Sequence, residues 1–156
     1  MVKKADHLTK RRGTFMRYHE FYIGQRFRTK SLTLTKEDIT RFATEFDPQY
    51  MHLDEDKATQ GRFNGIIASG IQTLAISFKL WVETGSYGDD VIAGTAMNNI
   101  RFLKPVYPGD KLHTIVEVTA LREKLNETGI VTVMLTTFND KDEKVFEGEL
   151  SVLVKK

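Results

Sequence analysis

The chain has 156 residues, a formal net charge of +2 and no cysteine. That length suits one domain with a substantial core. The lack of cysteine excludes disulfides and thiolate metal sites, and fits a reducing compartment. Charge is uneven, because residues 1–30 hold 9 Lys+Arg against 2 Asp+Glu. The opening stretch, MVKKADHLTKRRG, is polar and basic and lacks the apolar core of a secretory signal, so a cytoplasmic location is expected. No nucleic-acid motif accompanies these residues. Residues 1–13 therefore read as a flexible solvated arm, residues 14–156 as the domain, and nucleic acid is not an expected partner.

The segment 26–35 (RFRTKSLTLT) alternates and predicts a strand. Thr35 and Asp38 have the spacing of a capping box, which predicts a helix from Lys36 to Glu45. Asp47-Pro48 ends it, since the residue before proline disfavours the α region. His52 then opens a second short turn or helix, and Asp54, Glu55 and Asp56 suit the acidic first turn of another. QGRFNG (60–65) is a loop. The stretch 66–83 (IIASGIQTLAISFKLWVE) is the most apolar. Ile67, Ile71, Leu74, Phe78 and Val82 share one helical face, and Ile76 and Leu80 another, which predicts a buried helix. It is too short for a bilayer and carries Lys79, so no membrane span is expected.

Four strands follow, at 91–103, 111–121, 129–139 and 144–154, with turns at Tyr107-Pro108-Gly109-Asp110 and Asn139-Asp140-Lys141-Asp142. Leu112, Thr114, Val116, Val118 and Ala120 are expected on one face, as are Phe146, Leu150, Val152 and Val154. Helices followed by a strand meander predict an α+β domain with an antiparallel sheet wrapped round one long helix.

Two short stretches carry candidate chemistry. In FDPQYMHLDE, Asp47 and His52 stand five residues apart with Pro48 between them. A carboxylate and an imidazole in one loop can hold a water and move its proton near neutral pH. The competing reading is a solvated turn. In Ala68-Ser69-Gly70, at the start of the apolar helix, free backbone N–H groups and the helix dipole favour a polarised carbonyl oxygen. Here the competing reading is that Ser69 caps the helix and Gly70 permits close packing. His7, His19 and His113 are scattered, with His113 read as a surface or interface residue, and no metal site is expected. Ser69 lacks the G-x-S-x-G surround of a nucleophile.

Together these segments resemble the MaoC-like hot-dog proteins, in particular the (R)-specific enoyl-CoA hydratases. The likeness also covers Asn99-Ile100-Arg101-Phe102-Leu103-Lys104-Pro105-Val106 and the following Pro108-Gly109-Asp110. The family signature reads Gly-Asp-x-Asn-Pro-aliphatic-His; this chain keeps Asp47 and His52 but has Phe46, Gln49 and Tyr50 at the other positions. Those departures bear on the acyl pocket and the substrate more than on the dyad. The resemblance implies a hot-dog domain, at least a homodimer, and reversible hydration of a trans-2-enoyl-CoA to a (3R)-3-hydroxyacyl-CoA. It gives Asp47 and His52 the activated water and the Gly70 N–H the thioester oxygen. Coenzyme A enters only as part of the substrate, with no metal or redox cofactor. Arg62, Arg101 and Lys104 are candidates for its phosphates, with solvated surface charge as the other reading. A thioesterase on the same fold, or an acyl-CoA-binding protein without turnover, are the alternatives.

Overall fold

A computed structural model describes residues 16–156; the basic arm, with His7, lies outside them. A 3-10 turn at Tyr18–Glu20 leads to β1 (Arg26–Arg28) and β2 (Leu32–Thr33). Three helices follow: α1 (Lys36–Phe46), α2 (Tyr50–Leu53) and α3 (Glu55–Gln60). The central helix α4 spans Gly70–Val82. Four long strands complete the chain, β3 (Val91–Phe102), β4 (Lys111–Lys124), β5 (Thr128–Phe138) and β6 (Lys144–Lys155).

The sheet is antiparallel throughout, in the order β1-β4-β5-β6-β3, with β2 pairing to the same strand β4. Alternate residues of β4, β5 and β6 point inward, among them Leu112, Val116, Val131, Val133, Leu150 and Val152, and all of these are buried. Helix α4 lies across this face. This is the α+β, helix-in-sheet arrangement of a hot-dog domain. Among the described residues no helix is long and apolar enough to cross a membrane.

Several sequence expectations need correction. The strand 26–35 is broken in two. Thr29 interrupts it, pairing by backbone with Thr114 while its hydroxyl accepts the Thr114 N–H at 2.9 Å and donates to the Lys30 carbonyl at 2.8 Å. Ala120 is exposed, because a register shift between Val118 and Ala120 turns it off the inner face. His113 is buried, its ring stacked on Phe138 at 5.5 Å. The apolar helix starts at Gly70, four residues later than expected, and it is not buried all round. Its sheet-facing side carries Gln72, Thr73, Ile76, Ser77, Leu80 and Trp81, whereas Ile71 is 53% exposed and Phe78 and Val82 are also open.

Most polar groups on the buried side of α4 are bound, Gln72 Oε1 being without a partner among the described residues. The Ser77 hydroxyl donates to the Thr73 carbonyl at 2.7 Å and meets the Thr137 hydroxyl at 2.5 Å, which in turn meets that of Thr114 at 2.7 Å. Gln72 reaches across to α1 and donates to the Asp38 carbonyl at 3.0 Å. These bonds fix the rotation of α4 and tie it to the helix that delivers Asp47.

Candidate active site

The dyad is built from caps and ends. Thr35 caps α1 through the reciprocal box with Asp38, each bond 3.1 Å, so α1 has a fixed start and runs to Phe46. Asp47 is its C-cap, in a non-helical conformation ahead of Pro48. One short turn on, α2 carries His52 inward, where it is only 5% exposed. Asp54 caps α3 by accepting the Lys57 N–H at 3.1 Å, so the acids after His52 serve a helix start as expected.

The stretch 66–69, expected as helix, forms no helix or strand. The Ile67 N–H donates to the Met51 carbonyl at 3.1 Å, and the Ala68 N–H to the Val106 carbonyl at 2.8 Å. The unwinding has a chemical consequence. In a helix, the Ile67 carbonyl would be taken by a backbone N–H four residues on. Here it is free, and His52 Nδ1 donates to it at 2.6 Å. That bond fixes the imidazole ring and its Nδ1–H tautomer.

With Nδ1–H committed, His52 Nε2 faces Asp47 Oδ2 at 3.2 Å. Asp47 Oδ2 also accepts the Ser69 hydroxyl at 2.6 Å, and Oδ1 accepts the Gln49 amide at 2.7 Å. These donors hold the Asp47 carboxyl below its ordinary value, the Ser69 hydroxyl contributing most and then the Gln49 amide; burial opposes them, and the neighbouring His52 adds a lesser lowering. Asp47 thus favours the carboxylate, and it faces Nε2, the ring nitrogen that is not committed to Ile67. A carboxylate beside an imidazole with its far nitrogen pinned can take a proton from water and give one back.

Ser69 and Gly70 meet this pair from the other side. Ser69 caps α4, its hydroxyl accepting the Ile71 N–H at 3.2 Å while donating to Asp47. Capping and site roles therefore coexist in one side chain. The Gly70 N–H, first in α4, donates no hydrogen bond among the described residues. Gly70 also permits close packing, because a Cβ there would lie 2.8 Å from the Phe102 ring.

Sequence reasoning had not identified three participants. Gln49 stands where the family signature has Asn, and its amide still serves the carboxylate. The Ile67 carbonyl belongs to an apolar residue with no sequence signal. Phe102 comes from a distant strand. Phe46, before Asp47, is 68% exposed and pairs with Phe42 at 5.1 Å; Tyr50 is also exposed. Arg62, Arg101 and Lys104 are exposed and remain apart from the dyad's hydrogen bonds; Arg101 pairs with Glu147 at 3.5 Å and Lys104 with Glu143.

Residues 20–139 match the MaoC like domain family. The chain belongs to that family. It is 69% identical to the protein YdeM of Bacillus subtilis (strain 168) over 141 residues, 90% of this chain and 100% of YdeM. It is 29% identical to the 3-hydroxyacyl-thioester dehydratase Z of Mycobacterium tuberculosis (strain CDC 1551 / Oshkosh), covering 67% of this chain and 71% of the dehydratase. Among solved structures, the MaoC-like dehydratase from Rhodospirillum rubrum superposes with a TM-score of 0.82 at 33% identity, over 92% of this chain and 98% of that one. The R-hydratase PhaJ1 from Pseudomonas aeruginosa does so with a TM-score of 0.73 at 27% identity, over 89% and 85%. This MaoC-like domain is thus related to hydratases and dehydratases.

Proposed function

We propose that this MaoC-like protein adds water reversibly to a trans-2-enoyl-CoA, giving a (3R)-3-hydroxyacyl-CoA. The observation that carries the reading is the Asp47–His52 pair, a buried imidazole 3.2 Å from a half-buried carboxylate, beside a Gly70 N–H with no partner among the described residues. The thioester oxygen takes the Gly70 N–H, which stabilises the negative charge that grows there as C3 is attacked. The pair orients one water. One member removes its proton as the oxygen bonds to C3, and the pair returns a proton to C2. The sum is water across the double bond, with the pair restored. Coenzyme A is part of the substrate, and Arg62, with no ion pair among the described residues, is the one of the three cations left free for its phosphates.

The working unit in this reading is a homodimer. Ile71, Phe78 and Val82 form an apolar stripe on the open side of α4, while Val91, Ile92 and Met97 of β3 are exposed as well. Strand β3 is also the sheet's outer edge. An unpaired edge of that length beside an apolar face fits a second copy placed by a two-fold axis.

One assay tests the reaction. The protein is incubated with trans-2-enoyl-CoA thioesters while enoyl absorbance and free thiol are followed together. Loss of absorbance without thiol is expected. Thiol release at a comparable rate would make it a thioesterase, and silence would make it a binding protein.

A further inference from the structure

Resting on the hydration reading, we infer that the substrate is a short-chain enoyl thioester, with an acyl group of about four carbons, and that Ile100 and Phe146 are the stop that sets this length. The first three carbons have fixed places. C1 must put its oxygen at the Gly70 N–H, and C2 and C3 must lie at the dyad. Only carbons from C4 onward need further room.

The route onward is aromatic. The Phe102 ring lies against Gly70, at 2.8 Å from where a Cβ would be. Phe102 packs on Phe146, with ring centroids 6.0 Å apart. Phe146 in turn lines a slot between α4 and the sheet, together with Leu74, Phe78, Met97, Ile100 and Leu135. Apart from Glu149 these walls are apolar, so the slot suits carbon rather than water. Its volume is about 10 Å³. A cavity of about that size holds one water-sized group, which for an acyl chain means one methyl.

The slot is small for a reason that can be traced. Position 148, on its floor, is glycine, and a Cβ there would lie 2.5 Å from Ile100 Cδ1 and 3.1 Å from the Phe146 ring. The missing side chain lets Ile100 sink in. Ile100 points inward because β3 is irregular beside it: the pairing with β6 shifts between Asn98 and Arg101, and Asn99 has φ of 53°. It is the one residue of β3 that is not exposed. Bulge, glycine and isoleucine together fill a space that would otherwise take a longer chain.

The test uses the intact protein and two readouts. Hydration kinetics are measured with four-, eight- and twelve-carbon trans-2-enoyl-CoAs. Binding of butyryl-, octanoyl- and dodecanoyl-CoA, which cannot be hydrated, is measured by calorimetry. A single methylene in an apolar pocket discriminates by roughly 10–200-fold, so kcat/KM should fall at least that far between four and eight carbons. Ile100→Ala and Phe78→Ala, both at partly exposed positions, should each raise the eight-to-four-carbon ratio about tenfold or more. Equal or better use of the longer thioesters by the wild type, or an unchanged ratio in both variants, overturns the length limit and leaves hydration standing. Absent hydration with tighter binding of butyryl-CoA sinks the hydratase reading and leaves the length limit standing. Binding that does not favour butyryl-CoA overturns the limit whatever the kinetics show.

Discussion

The two ends of α4 handle polar groups in opposite ways. At its start, Ser69, Asp47, Gln49 and His52 are joined by hydrogen bonds of 2.6–3.2 Å. At its far end, Trp81 is fully buried, its ring 5.1 Å from that of Phe27 and 5.2 Å from that of Tyr87. There Trp81 Nε1 and the Tyr87 hydroxyl have no hydrogen-bond partner among the described residues. An unmade buried hydrogen bond costs about 1–3 kcal/mol. The far end tolerates that because large rings bury much apolar area and pair edge to face. One helix therefore separates two kinds of environment: a hydrogen-bonded polar cluster at its start, apolar cohesion at its end.

The strongest test of that separation acts on the start. Asp47→Asn and His52→Gln should each lower the hydration rate by at least ~10²–10⁴-fold, with melting temperatures near wild type. The double variant should be little worse than either single one, since the two act on one water. A large fall in melting temperature with activity retained would return Asp47 and His52 to a purely structural role. The far end should behave in reverse. Trp81→Ala should cost about 3–5 kcal/mol, lowering Tm by roughly 10 °C, while the protein that remains folded at low temperature keeps its rate per molecule. A specific loss of rate in fully folded Trp81→Ala would break the comparison.

A smaller effect comes from Ser69→Ala, which removes both a cap and the main cause of the lowered Asp47 value. The cap is worth about 0.5–2 kcal/mol. Because Asp47 titrates lower when folded than its ordinary ~3.9, its contribution to stability is complete above that value and is lost as pH falls through the folded value. Ser69→Ala should therefore show a shallower loss of Tm in acid and an acid limb of kcat/KM moved toward neutral. The smallest change is expected for Tyr87→Phe, which deletes an unpartnered hydroxyl and should leave Tm unchanged or slightly raised. Burial pushes the Tyr87 hydroxyl up to about 12. Wild type should accordingly lose stability as pH climbs from ~10 through that value, and Tyr87→Phe should lack that loss.

Much of this was legible in the chain itself, and the failures share a cause. The capping box at Thr35 and Asp38 and the cap at Asp54 are local devices, so the α1 and α3 starts could be read directly. Asp47, His52, Ser69 and Gly70 fell in short stretches whose residue types already suggest proton transfer and a free helix start. The misreadings all depended on distant partners. The stretch 66–69 looks helical by apolar content, yet bonds to Met51 and Val106 hold it outside any helix. Trp81 and Leu80 point to the sheet while Ile71 and Phe78 do not, although all four are apolar. Hydrophobic spacing reports that a face is covered, not which neighbour covers it. The Gln49 amide and the Ile67 carbonyl join the site through contacts that no spacing in the chain announces.

The order β1-β4-β5-β6-β3 also bears on how the molecule comes into being. Strand β3 is the next strand after α4, yet its ladder partner is β6, which lies beyond β4 and β5 in the chain. As the chain is made, β3 and the open side of α4 must wait while β4 and β5 form their hairpin. During that interval an unpaired strand with exposed Val91, Ile92 and Met97 is the hazard, because such edges seek other chains. Pairing β3 with β6 depends on contacts of long sequence separation, which are slow to form. A ribosome stalled before residue 144 would hold a chain with Asp47, His52 and Gly70 already made and its sheet still open, a natural target for chaperones.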